Sequence, residues 1–310
     1  MTQIDRVLRS SLKLRHLQLL VALDQFHHLG RAAEFLSLTQ PAVSKALAEV
    51  ERQFGLQLFV RSTRGTEPTA YGAAVVRFAR SVLADYGRTR DEIAAVASGA
   101  SGRASVGTMV VAMPGLLSQA VALLKARSAQ TTVLIEEGDL TRLLPRLRVG
   151  ELDLFVGRLE PGYAAPDLRT EALFDEPMRV IARPDHPLVI QRKPGWAELA
   201  REPWVVPPPW ASSRIKLEQM FYRHRLDPPR DLIETASYMV TVNFVRERPA
   251  LGFVAQRVAR HLEREGLAKA LRVALPIELP PVGIITMRNR VRTPACEQLI
   301  ECLRRVAGAA

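Results

Sequence analysis

Residues 39–45 read TQPAVSK and place two hydroxyls, an amide and an ammonium on about two turns of a helix. Together with small apolar groups, such side chains can hydrogen-bond base edges, reach phosphates or touch a thymine methyl. The alternative is the polar face of an ordinary amphipathic helix in a helical hairpin. A solvated face would more often carry Glu and Lys in quantity. The candidates for base or phosphate contact on this helix are Thr39, Gln40, Pro41, Ala42, Ser44 and Lys45.

Two short helices joined by a tight turn are predicted within residues 29–54. Thr39 is placed to cap the second helix, and Pro41 lies in its first turn, where a missing backbone donor costs little. Gly55 is expected to end it. Apolar residues recur at i, i+4, i+7 and i+11, one stripe for packing on the first helix. They are Val43, Leu47, Val50 and Phe54.

A short apolar run at residues 56–60 is followed by a basic turn at residues 61–65. A helix-turn-helix followed by a two-stranded basic hairpin is a winged helix, whose hairpin can lay an arginine into the adjacent minor groove. Arg61 and Arg64 are therefore further candidates for DNA contact.

Residues 32–72, AAEFLSLTQPAVSKALAEVERQFGLQLFVRSTRGTEPTAYG, resemble the LysR-type transcriptional regulators as one unit, in residue types, spacing and order. Residues 12–23, LKLRHLQLLVAL, are most similar to the branch that includes regulators of sugar and aromatic-acid catabolism. The resemblance implies an α/β protein with an N-terminal winged helix-turn-helix, a long linker helix and a C-terminal two-lobe effector domain like a periplasmic binding protein. It also implies a DNA-binding transcriptional regulator that assembles as a homotetramer.

Amino-acid composition says less about the class of protein than the helix-turn-helix motif does. The 310 residues fit two or three domains, and 47% hydrophobic with 24% charged residues is typical of a soluble globular protein. The net charge is +11, but residues 1–70 contain nine basic and six acidic residues and contribute only +3. The charge is therefore weak support for DNA binding.

No sequence motif supports several other classes of protein. Residues 1–15 lack the apolar core of a signal peptide, and no run of about 18 apolar residues is present, so a cytoplasmic protein without membrane contact is expected. No G-x-S-x-G, P-loop, G-x-G-x-x-G or H-E-x-x-H motif occurs, which argues against an enzyme or a cofactor. A transport-type solute-binding protein would need export, so residues 1–15 and the winged helix argue against that class. His16, His27 and His28 are interpreted as surface or turn residues, without metal-ligand spacing.

Cys296 and Cys302 lie six residues apart. They are interpreted as buried or idle thiols, with a redox switch as the alternative.

A heptad-like stripe follows the winged helix between Pro68 and Val96, with alternating spacings of four and three. The stripe could pack on its own domain, but a partner chain is the expected cover, because nothing adjacent in sequence offers a covering face. The resemblance implies that this linker pairs antiparallel with its twin and that the operator is a pseudo-palindrome. The stripe consists of Val75, Ala79, Val82, Tyr86, Thr89, Ile93 and Val96.

Residues 1–12 are expected to be a disordered tail, with a phosphate-contacting extra turn as the alternative.

A Gly- and Ser-rich break at residues 98–105 precedes alternating strands and helices, which predict parallel sheets with ligands beyond the carboxyl ends of the strands. Crossings between the lobes are expected near residues 158–161 and 272–276. The expected domains are a DNA-binding head (1–70), a linker helix (71–98), lobe I (104–160 and 275–310) and lobe II (161–274).

The resemblance places a small-molecule effector in the cleft between the lobes. Ser212 and Ser213 would begin a helix whose N-terminus suits an anion, although simple capping is an equal alternative. Members that bind aromatic carboxylates tend to have small hydroxyl residues where this chain has Val111 and Asp139, which leaves a polyol, a sugar or a zwitterion open. The candidates are Val111, Asp139, Arg158, Trp210, Ser212, Ser213 and Tyr238.

Overall fold

The protein is described by a computed structural model that covers residues 3–62, 65–98, 102–191 and 193–309. The chain separates into two compact units. The first comprises residues 1–100 with 145–152, and the second residues 101–144 with 153–310.

The first unit is built mainly of helices around one apolar core. Leu20, Leu23, Leu47, Val50 and Phe59 are among its fully or almost fully buried members. Its elements are α1 (Gln3–Arg6), a π-helical turn (Val7–Ser11), α2 (Leu14–Phe26), α3 (Leu29–Phe35), α4 (Gln40–Phe54), β1 (Phe59–Ser62), β2 (Gly65–Pro68) and α5 (Ala70–Ser98).

The N-terminal segment differs from the expected tail. Residues 3–11 are helical, and Val7 is only 4% exposed because it packs into the core of the head. His16 also differs from the expected surface residue. It is buried in α2, and its Nδ1 accepts a hydrogen bond from the backbone N–H of Lys13 at 3.3 Å. The prediction of a tail and of a surface His16 was therefore wrong.

The first turns of α5 pack against α2, so the head itself supplies the cover that the sequence did not reveal. Ala79 on α5 is fully buried. The expected stripe is therefore wrong at Ala79. Beyond the first two turns of α5, the large apolar side chains left in solvent are Phe78, Tyr86, Ile93 and Val96.

The second unit contains two five-stranded sheets with helices between the strands. Its elements begin with β3 (Arg103–Thr108), α6 (Ser118–Arg127), β4 (Thr132–Glu137), α7 (Leu140–Val149), β5 (Leu154–Arg158), β6 (Leu168–Phe174), β7 (Met178–Ala182), α8 (Pro187–Ile190) and α9 (Trp196–Leu199). They continue with β8 (Trp204–Val206), α10 (Ser212–Arg223), β9 (Leu232–Glu234), α11 (Tyr238–Glu247), β10 (Leu251–Ala255), α12 (Gln256–Arg264), β11 (Lys269–Ala270), β12 (Val282–Met287) and α13 (Pro294–Gly308).

Lobe I is the sheet of order β4-β3-β5-β12-β6, and lobe II is the sheet of order β11-β7-β10-β8-β9. In lobe I, β3 pairs in parallel with β4 and β5, as the alternating pattern predicts, whereas β12 runs antiparallel to β5 and β6. The second unit is therefore a mixed α/β domain of two lobes.

The first crossing between lobes lies later than expected. β6 pairs along its length with β12, so residues 168–174 belong to lobe I and the chain crosses after Phe174 rather than near residue 161. The return crossing lies between Ala270 and Val282. Residues 187–203, which begin and end with proline, contain the short helices α8 and α9.

Residues 110–127 are apolar and long enough to cross a membrane by length and composition alone. A kink at Pro114 and Gly115 interrupts their helical backbone. Leu116, Leu117 and Leu124 are fully buried in the core of the second unit. Of the segment, 33% is buried inside the protein, which accounts for part of its apolar composition.

Candidate functional site

Helix α4 has the caps that the sequence predicts. The Thr39 hydroxyl accepts a hydrogen bond from the Ala42 backbone N–H at 3.4 Å, and Gly55 ends the helix with a φ of 66°. Val43, Leu47 and Val50 are fully buried, which fixes the rotation of the helix about its axis. The opposite face is open to solvent and carries Gln40, Pro41, Ala42, Lys45 and Arg52.

The wing is fastened to α4 by two sets of contacts. The Glu51 carboxylate accepts the backbone N–H groups of Leu58 and Phe59 at 2.8 and 3.0 Å. At the tip, Arg61 donates from Nη1 to the Ser44 hydroxyl at 3.1 Å, so a wing residue and a helix residue share one surface. Arg64 lies outside the described residues.

Gly65 allows β2 to pass close to the end of α2. Its φ is 137°, and a Cβ there would lie 2.6 Å from the carbonyl oxygen of His27. The next residue, Thr66, donates its N–H to that same oxygen at 2.8 Å. A side chain at position 65 would therefore displace the wing.

The second unit holds a cavity of about 510 Å³ lined by residues of both lobes. All seven candidates for effector contact line it, namely Val111, Asp139, Arg158, Trp210, Ser212, Ser213 and Tyr238. Val111 and Arg158 are buried, and Trp210 at the rim is 70% exposed. The other four side chains are partly exposed. The sequence therefore named a set of residues that the fold does bring together.

Asp139 caps helix α7 at the edge of the cavity. Its carboxylate accepts hydrogen bonds from the Thr141 hydroxyl and from the backbone N–H of Arg142, the latter at 3.1 Å. The Thr141 hydrogen bond is the main reason that the pKa of Asp139 is lowered. A charged carboxylate is thus held in the cleft at neutral pH.

The start of α10 faces another carboxylate. The Ser212 hydroxyl donates to Oε1 of Glu160 at 2.6 Å, and the N-cap residue is Ala211. Simple capping by Ser212 or Ser213 is therefore not observed. Glu160 places its negative charge at the positive end of the helix, where an anion is favoured.

The Arg158 side chain hydrogen-bonds the two chain segments that connect the lobes. Its Nη1 donates to the Pro280 carbonyl at 2.9 Å, and its Nη2 donates to the Glu176 carbonyl at 2.8 Å. Burial lowers its pKa. Burial likewise raises the pKa of Glu176, whose carboxylate accepts the backbone N–H of Arg257 at 2.7 Å and pairs with its Nε. The alternative of a structural role for Arg158 fits these contacts.

Sequence reasoning missed Glu160, Glu137 and the apolar wall formed by Met109, Met178 and Phe253. Glu160 follows β5 and Glu137 ends β4, so their places after parallel strands were an available signal. The wall combines β3, β7 and β10 with their ends, which only the tertiary structure brings together.

Among the described residues, no group of three or more His, Cys, Asp or Glu side chains could hold a metal ion. Cys296 and Cys302 are buried on α13 as free thiols, and burial raises the pKa of Cys296 to about 12.

A winged helix and a two-lobe domain with an internal cavity define the class of bacterial transcriptional regulators that bind DNA and a small molecule. Residues 97–308 match the LysR substrate binding domain, and residues 14–73 match the bacterial regulatory helix-turn-helix protein, lysR family. The chain belongs to the LysR family of transcriptional regulators and is a DNA-binding regulator rather than an enzyme.

Relatives and solved structures agree with this assignment. The chain is 31% identical over 300 residues to the HTH-type transcriptional regulator GbpR of Azospirillum brasilense, covering 96% of this chain and 87% of GbpR. It is 29% identical to the regulator GalR of Pseudomonas putida, over 94% of this chain and 73% of GalR. The fold matches the crystal structure of CbnR, a LysR family regulator, with a TM-score of 0.72 and 19% identity over 96% of this chain and 99% of that one.

Proposed function

We propose that this regulator binds a pseudo-palindromic operator through α4 and the wing, and that a small-molecule effector in its cleft changes the geometry of the bound complex. The observation that carries the proposal is the 510 Å³ cavity lined from both lobes. A ligand that touches both lobes favours the closed arrangement by its difference in affinity for the two states.

The DNA contacts are assigned by chemistry and exposure. Gln40 is exposed at the first turn of α4 and carries an amide suited to a base edge. Lys45 is exposed about one and a half turns later and carries a point charge suited to a phosphate. Pro41 and Ala42 offer small apolar contacts, while Thr39 and Ser44 position the helix and the wing. Arg61 reaches this surface from the wing, and Arg64 is proposed by sequence alone.

The effector is proposed to be a hydroxylated molecule that is neutral or carries an amine. Three carboxylates line the cavity, at Glu137, Asp139 and Glu160. Of the two arginines, Arg142 is mostly exposed and pairs with Glu136 at 3.4 Å, and Arg158 donates to backbone carbonyls. An aromatic monocarboxylate would therefore meet net repulsion, whereas a sugar could hydrogen-bond the carboxylates and stack on Trp210 or Tyr238.

The chain is also proposed to act in the cytoplasm as a homotetramer. The exposed stripe on α5 would pair two chains, since a solvent-facing row of Phe78, Tyr86, Ile93 and Val96 lacks a cover within the described protomer. A two-fold dimer of heads matches a pseudo-palindromic operator.

Footprinting on the DNA beside the regulator's own gene tests the function. Calorimetry with galactose, galactosamine and galacturonate tests the effector class, because these sugars share one ring and are neutral, cationic and anionic, respectively. We expect a protected operator and binding of the neutral or amino sugar in preference to the acid. Protection no better than that of random DNA would refute the operator proposal, and preferential binding of galacturonate would refute the effector class.

A further inference from the structure

The positive charge of the DNA-binding head is concentrated near its N-terminus. Residues 1–15 contain four Lys or Arg and one Asp, whereas residues 16–70 contain five basic and five acidic residues. The match to the lysR helix-turn-helix family begins at residue 14, so most of this basic segment precedes the part shared with the family. Residues 16–70 carry no net charge and so provide little attraction for phosphates. The net positive charge of the head comes from the segment before them.

The segment is held in place rather than free. Val7 is 4% exposed in the core of the head, and the π-helical turn around it packs against α4. Gln3 donates from Nε2 to the backbone carbonyl of Gln53 at 3.0 Å. At the other end, Lys13 donates its N–H to His16, which lies close enough to Glu49 for the two side chains to affect each other's pKa.

These contacts place the segment on one flank of the recognition helix. The wing occupies the other flank, where Arg61 meets Ser44. Ser44 and Gln53 are about two and a half turns apart, which puts them on opposite sides of the helix axis. Lys45 and Arg52 lie on the exposed face between these two sides.

A recognition helix in the major groove has a phosphate strand on each side. The wing is suited to one strand, and the N-terminal segment lies toward the other. Arg6 and Arg9 are both exposed on this segment, and neither is needed for its docking through Val7 and Gln3. We infer that residues 3–13 form a phosphate arm, in which Arg6 and Arg9 bind the DNA backbone on the side of the groove opposite the wing.

The test is a salt titration of DNA binding by the full-length protein. Arg6→Gln combined with Arg9→Gln should reduce the slope of log affinity against log salt by about 0.9 for each phosphate that is no longer bound, that is by about 1.8 for each bound head. The reduction should be equal on the operator fragment and on a random-sequence duplex of the same length, because backbone contacts carry no sequence information.

Two further variants make the result decisive. Arg260→Gln with Arg264→Gln removes two exposed arginines from α12 and should leave the slope of the wild type. Arg6→Lys with Arg9→Lys keeps the charges and should restore the slope. A double glutamine variant with the wild-type slope would overturn the arm, as would a lysine variant as impaired as the glutamine one. Because the wild type is titrated alongside, a failure of operator recognition would be visible separately.

Discussion

Lys45 and Gln40 lie about one and a half turns apart on the exposed face of α4 and are expected to contribute differently to DNA binding. Lys45→Ala should weaken binding to operator and random DNA alike and reduce the salt slope by about 0.9 for each bound head. Gln40→Ala should cost roughly 1 to 3 kcal/mol on the best site and relax base choice, with the salt slope unchanged. Competition titrations at several salt concentrations measure both. Wild-type slope and selectivity in both variants would mean that another surface reads the DNA.

Cys296 is expected to be chemically inert in the folded protein. A pKa of about 12 leaves almost no thiolate at pH 8, and the thiolate is the reactive form. Iodoacetamide at pH 8 should leave Cys296 unmodified in the native protein and modify it after denaturation in urea, as read by mass spectrometry of the peptides. Rapid labelling of the native protein would contradict the burial of α13 and reopen the redox alternative.

Local chemistry made some single residues predictable and left others hidden. Thr39 and Gly55 were identified because capping depends on neighbours within one turn. Asp139 was placed at the cleft, but its capping of α7 was missed. His16 was misplaced because burial of a side chain on α2 depends on helices distant in sequence. Glu160 was missed because its partner Ser212 is 52 residues away.

At the scale of elements, the linker helix shows that spacing in the sequence does not reveal which face of a helix its own domain covers. The stripe was recognised from its spacings, but Ala79 was assigned to the free face. Ala79 is fully buried, whereas its neighbour Phe78 is 40% exposed, a difference that the spacing does not predict. Gly72 lets the first turn of α5 lie close to the chain that leads into β1, since a Cβ there would lie 1.9 Å from the Leu58 carbonyl oxygen.

The exposed end of that stripe is the place to test pairing of chains. Ile93 is 65% exposed in the protomer, so Ile93→Glu should fold normally. In a paired helix the same carboxylate would be buried without a partner, which costs several kcal/mol and should convert dimers into monomers. Light scattering measures the mass.

Ala94→Glu is the matched control for Ile93→Glu, because position 94 is exposed but about 100° further round the helix. It should keep the mass of the wild type. If Ile93→Glu also kept that mass, this stripe would not be the dimer seam.

The elements of lobe I were predicted more completely than those of lobe II. Strands β3, β4 and β5 alternate with helices, which is the pattern that parallel strands with helical crossovers impose. Strand β6 was assigned to the wrong lobe because its partner β12 follows over 100 residues later. Short strands such as β9, with three residues, carry too little pattern to be read.

For the whole molecule, the arrangement of the cavity determines what a ligand must do. Glu160 follows β5 of lobe I, and its carboxylate accepts a hydrogen bond from the Ser212 hydroxyl of lobe II. A ligand that hydrogen-bonds both lobes would therefore exchange this contact for its own. Its effect on the lobes is limited to its difference in affinity for the open and closed arrangements.

A substitution at Ser213 can prevent a ligand from replacing the contact between Glu160 and Ser212, and it leaves the residues of the DNA-binding head unchanged. It lines the cavity at the start of α10, so Ser213→Trp should fill the space that the effector needs. We expect the variant to lose the effector-dependent change in the footprint while its operator affinity stays within about threefold of the wild type, a difference below ~1 kcal/mol. Gln219→Trp, on an exposed part of the same helix, is the control and should respond as the wild type does. An undiminished footprint change in Ser213→Trp would place the effector site outside this cavity.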